Sequence, residues 1–147
     1  MLPRLFALAI LAAALSAAPA ASAKTKLPGF HSPSGNIRCY WEPGPPSILR
    51  CQIARADYAT ALTRHCAAPP IGVDWGGFEL SAVRRGFVTC TGGVLYGDDE
   101  QPTFADLPYG KTWRHGVFTC ASRTAGVTCR NRLGHGLFIS RESWRTW

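Results

Sequence analysis

Five of the six cysteines close the same short phrase: an apolar residue, one residue of any kind, then Cys. The pairs are Ile37/Cys39, Leu49/Cys51, Val88/Cys90, Phe118/Cys120 and Val127/Cys129. A spacing of two places both members on one face of a β-strand. Three phrases also open with glycine, at Gly35, Gly86 and Gly116. Cys39 and Cys51 lie almost symmetrically about Pro45, as a bridge across a hairpin requires. Cys120 and Cys129 are symmetric about a turn at Ser122 to Ala125. Elimination leaves Cys66–Cys90, chosen from the many connectivities that six cysteines allow. The expected fold is all-β, mainly antiparallel hairpins in a small sandwich or barrel, with one short helix and three staples. Each bridge contributes about 3 kcal/mol in the loop-entropy account.

Disulfides need an oxidising compartment, and the N-terminus supplies a route to one. Arg4 gives a positive start, Leu5 to Ala18 is apolar, and Ala21-Ser22-Ala23 is a small-x-small cleavage site. Residues 1–23 read as a signal peptide, too short for a convincing membrane span; an uncleaved anchor helix is the alternative. Residues 24–147 read as a single domain, secreted or periplasmic, with no membrane span after cleavage.

The chain carries 16 Lys and Arg against 9 Asp and Glu. Thirteen of the basic residues are arginine, whose guanidinium binds carboxylate and phosphate as a fork. The same bias arises from GC-rich coding, so it does not by itself establish anion binding.

Along the chain, Lys24 to Phe30 reads as a basic leader and His31 to Gly35 as a turn. Strands are expected over Asn36 to Trp41, Ile48 to Ile53, Phe78 to Val83 and Arg85 to Thr91. A short helix capped by Asp57 would set Tyr58, Ala61, Leu62 and His65 on one side. Gly92-Gly93 is a break, Val94 to Tyr96 a short strand, and Gly97 to Gly110 a polar loop. Trp113 to Ala121 and Gly126 to Asn131 form the last hairpin, followed by a strand over Gly134 to Arg141. Glu142 to Trp147 reads as a helical turn with Trp144 and Trp147 on one side.

The run Phe30-His-Ser-Pro-Ser-Gly-Asn-Ile-Arg-Cys39 resembles the opening of an uncharacterised family of small secreted bacterial proteins. Phe118-Thr-Cys-Ala-Ser-Arg-Thr-Ala-Gly-Val-Thr-Cys-Arg-Asn131 and Gly134-His-Gly-Leu-Phe-Ile-Ser-Arg141 resemble its close, with Leu137 where an aromatic is expected. The resemblance covers nearly all of residues 24–147 and implies secretion, disulfides and a bacterial source. It carries over no catalytic residue.

Gly134-His135-Gly136 with Ser140-Arg141 is the most suggestive polar cluster. An imidazole between glycines is approachable by a ligand, and Arg141 can hold a carboxylate or phosphate. The plainer reading makes the glycines a turn, with His135 bonding locally. Trp113-Arg114 and Trp144-Arg145 interleave rings with guanidiniums, as surfaces for acidic polymers, glycans or proteins do. The plainer reading puts the tryptophans in the core. The expected contact set is His135, Arg141, Trp144 and Arg145, joined by Trp113 and Arg114. It describes a non-enzymatic binding module for an anionic glycan, envelope polymer or protein. A sequence-specific nucleic-acid partner is not expected of an exported chain.

The alternative is a small hydrolase with His135 as general base, assembled with Ser140 and Asp106. No Gly-x-Ser-x-Gly elbow is present, and with nine acids, Glu79 and Glu142 among them, the sequence does not say which two would face each other as a glycosidase pair. His31, His65, His115 and His135 are scattered, and Asp98-Asp99-Glu100 lacks the alternating ligands of a calcium loop. No metal or cofactor is expected.

Overall fold

The computed structural model describes residues 28–91 and 104–147. The signal segment, Gly92-Gly93, the strand over 94–96 and the acidic triplet 98–100 lie outside the described residues. The described elements run β1 (Gly29–His31), β2 (Ile37–Glu42), β3 (Ile48–Ile53), α1 (Ala59–Ala67), β4 (Trp75–Ser81) and β5 (Gly86–Cys90). They continue with β6 (Ala105–Asp106), β7 (Thr112–His115), β8 (Phe118–Arg123), β9 (Gly126–Arg130), β10 (Gly136–Ile139) and β11 (Trp144–Thr146). Two sheets result, ordered β5-β4-β3-β2-β1-β6 and β11-β10-β9-β8-β7. All pairings are antiparallel except β1 with β6.

The period-two phrases build the core between the sheets. Ile37, Cys39, Leu49, Cys51, Phe78 and Leu80 face inward from the first sheet. Phe118, Cys120, Val127, Cys129, Leu137 and Ile139 meet them from the second. Cys39 opposes Cys51 and Cys120 opposes Cys129 directly across their strand pairs, and both pairs are bridged. The two bridges meet in mid-core, with the sulfurs of Cys39, Cys51 and Cys129 within 4.8 Å of one another. Cys66–Cys90 ties α1 to β5. All three expected pairings are present. The disulfides accord with an oxidising compartment. No described helix is long and apolar enough to cross a membrane.

Several local expectations are corrected. The supposed leader contains β1, because Phe30 is 1% exposed and fills the core beside Trp113. Within the supposed polar loop, Ala105–Asp106 pairs with β1. The stretch 113–121 is two strands, not one: Gly116 takes φ +56° and turns the chain so that His115 faces Phe118. Gly86, by contrast, is required by close approach, since a Cβ there would lie 2.6 Å from the Gly136 carbonyl oxygen. Asp57 does not cap α1; Tyr58 occupies that position without a side-chain cap. Asp57 is held instead by Arg141, whose carbonyl accepts its amide hydrogen at 2.9 Å. The helix buries Leu62 and Cys66, four residues apart, and leaves Ala61 and His65 exposed. The final turn is β11, not helix, because the open edge of β10 supplies backbone partners that a single helical turn cannot replace.

Candidate functional site

An open polar cleft of about 340 Å³ lies at one pole of the sandwich. Five chain segments converge there. The β1–β2 turn brings Ser32, Ser34 and Asn36; the β8–β9 turn brings Arg123 and Thr124. The β10–β11 turn brings Ser140, Arg141 and Glu142, while Arg55 follows β3 and Tyr109 precedes β7.

Each wall is fixed by its own hydrogen bonds. In the first turn, Ser32 Oγ accepts from the Ile37 amide at 3.0 Å and Ser34 Oγ from the Asn36 amide at 3.3 Å. Asn36 then clamps Arg55: its Nδ2 donates to the Arg55 carbonyl at 3.0 Å and its Oδ1 accepts the Arg55 amide hydrogen at 2.8 Å. The turn that presents Arg141 is held by Ser140 Oγ, which accepts from the Glu142 and Ser143 amides at 3.2 and 3.1 Å. Tyr58 Oη donates to the Ser140 carbonyl at 3.0 Å. Burial, helped by the charge of Glu142, pushes the Tyr58 phenol well above its usual range, so it stays a donor. Arg123 Nη1 donates to the Ser122 carbonyl at 3.0 Å.

Among the described residues, three guanidiniums thus line one cleft with a single carboxylate, Glu142. Arg141 also meets Asp57 at 3.4 Å, but both side chains are well exposed, and such pairs are worth little. Arginine forks beside hydroxyl and amide groups suit a carboxylate or phosphate carried on a polar body.

The six sequence-predicted contact residues do not form one site. Arg141 lines the cleft. His135 sits at the opposite end of β10, its amide donating to Asn131 Oδ1 at 3.1 Å. Trp144 and Arg145 border a separate, more open hollow with Phe138 and Ser143. Trp144 packs on Tyr58 and Phe78, and Arg145 lies over the Trp147 ring at 5.1 Å. Trp113 packs half-buried against Phe30, and Arg114 is exposed on β7, at the edge of the sheet farthest from β11.

The Ser140–His135–Asp106 grouping is not assembled either. The four residues of β10 separate His135 from Ser140, about 16 Å at the usual strand rise. Asp106 pairs with His31 in the other sheet. Among the described residues, the one close group of possible metal ligands is Cys39, Cys51 and Cys129, all committed to bridges.

Arg55, Arg123, Asn36 and Tyr109 were not singled out by sequence reasoning. Asn36 and Arg123 do stand inside the two stretches that carry the resemblance, and those stretches meet at the cleft.

Residues 49–145 match DUF6636, a family of unknown function. The chain belongs to that family. The DUF6636 match includes the C-terminal block and all three cleft arginines, whereas the Phe30–Cys39 opening lies before it. The match is therefore shorter than the resemblance implied. No curated protein and no solved structure matches the chain.

Proposed function

We propose that this DUF6636 chain is a secreted or periplasmic, non-enzymatic binding module for an anionic group of a cell-envelope component. The observation that carries this reading is the convergence of Arg55, Arg123 and Arg141 on one cleft that holds, among the described lining residues, one carboxylate, Glu142. Two stapled hairpins hold the cleft walls in place before any ligand arrives, which lowers the ordering cost of binding. The signal segment delivers the chain to a compartment where those bridges form. Ser32, Ser34, Asn36 and Thr124 supply neutral hydrogen-bonding groups for a polyhydroxyl body beside the anion.

Calorimetric titration with glucuronate and with inorganic phosphate, at matched ionic strength, tests the proposal. Saturable binding is expected for at least one, weakened about tenfold or more in Arg55→Gln/Arg123→Gln, since each removes a charge-assisted pair. Equal binding by the double variant, or no binding of either anion, would overturn it.

A further inference from the structure

The pole opposite the cleft has a different chemistry. There the β4–β5 hairpin and the β9–β10 loop are locked side by side by one buried amide. Asn131 Nδ2 donates to the Ser81 carbonyl at 2.9 Å and to the Arg84 carbonyl at 3.3 Å. Its Oδ1 accepts the amide hydrogens of Leu133 and His135 at 2.9 and 3.1 Å. The Gly86 amide adds a bond to the Trp147 carbonyl at 3.3 Å.

The locked loops project aliphatic side chains into solvent. Leu133 is 63% exposed and Val83 54%, the two most exposed large hydrophobic residues described. Around them stand Arg84, Arg85 and Arg132, all exposed. Arg130 and Arg145 follow, both held over the Trp147 ring at 5.1 Å. The described acids near this pole, Glu42 and Glu79, are both paired with Arg50. Asp57, Asp74, Asp106 and Glu142 sit by strand direction at the cleft end. Among the described residues, this pole is basic with two apolar tips.

We infer that this pole docks on an anionic phospholipid surface, with Val83 and Leu133 entering the interface and Arg84, Arg85 and Arg132 pairing with lipid phosphates. Aliphatic tips gain by leaving water for the acyl boundary, while the arginines remain at headgroup depth. Either signal alone binds weakly, and the combination is what gives stable attachment. A soluble glycan or acidic chain is less well matched. Val83 and Leu133 offer it no polar group, and the Trp147 ring is covered by Arg130 and Arg145. The proposal is independent of the cleft, which lies at the other pole.

Vesicle sedimentation tests it, using the purified oxidised protein with phosphatidylcholine vesicles with and without 30 mol% phosphatidylglycerol. Wild type is expected to sediment with the anionic vesicles only. Val83→Ser/Leu133→Ser should weaken that binding about tenfold or more. Arg84→Gln/Arg85→Gln should weaken it about fivefold per residue. All variants share one N-terminus, so any contribution of the Leu5 to Ala18 segment cancels. The aliphatic double variant should keep the wild-type melting temperature, because both side chains are already in solvent. Equal sedimentation with neutral vesicles, or undiminished binding by Val83→Ser/Leu133→Ser, would overturn the proposal. So would tight binding of heparin by a protein that ignores both vesicles, which would assign the face to a polymer.

Discussion

Asn131→Ala removes four hydrogen bonds made by one side chain that is 5% exposed. The bond to the Ser81 carbonyl is fully buried, and leaving such an acceptor unpaired costs about 1–3 kcal/mol. The bonds to Arg84, Leu133 and His135 are partly open, so water replaces some of their value, leaving about 0.5 kcal/mol each. The sum is about 3 kcal/mol. In a domain of this size that lowers the melting temperature by about 10 °C. Guanidinium unfolding of the oxidised protein, followed by tryptophan fluorescence, should show a lower midpoint at unchanged slope. Asn131→Asp separates the two halves of the amide. It keeps an acceptor for Leu133 and His135 but turns a carboxylate toward the Ser81 and Arg84 carbonyls, so its loss should be at least as large. A loss below about 1 kcal/mol for alanine, or wild-type stability for aspartate, would refute the assignment of Asn131 as the tie between the sheets.

The remaining expectations concern redox and pH. The cysteines of the two hairpin bridges are fully buried, whereas Cys90 is partly exposed. Mild reductant should therefore open Cys66–Cys90 first, as read by alkylation and peptide mass; earlier labelling of Cys39 or Cys120 would contradict this. Reducing all three removes on the order of 9 kcal/mol and should unfold the domain; an unchanged melting temperature in excess reductant would refute it. Burial pushes the Glu79 carboxyl above its ordinary 4.5, with the Arg50 charge pulling the other way. A raised folded pKa contributes stability that is full below 4.5 and lost as pH rises through the folded value. The melting-temperature advantage of wild type over Glu79→Gln should then shrink from pH 4 toward neutrality; a widening gap would reverse the sign. Burial, reinforced by Arg38 and opposed by Asp106, lowers the His31 pKa below 6.5. Its contribution is full above 6.5 and declines as pH falls through the folded value, so His31→Gln should flatten the acid side of the stability profile.

The strand pairs and bridges were legible because period-two spacing is a local property. Once Ile37/Cys39 and Leu49/Cys51 share a face, a turn at Pro45 brings the two cysteines opposite each other. The helix side was less legible: Asp57 has the chemistry of a cap, yet its backbone and carboxylate are taken by Arg141, 84 residues away. Trp144 and Trp147 likewise have helical spacing, but the edge of β10 makes Trp144 strand and bonds the Trp147 backbone to Gly136.

The sequence alone determined the stapled β framework, because alternation and cysteine symmetry act over a few residues. Only the tertiary structure decided what the basic residues do. Arg55, Arg123 and Arg141 are far apart in the chain and become neighbours because three turns end at one pole. His135 and Arg141 are close in the chain and are parted because an extended strand carries its two ends in opposite directions.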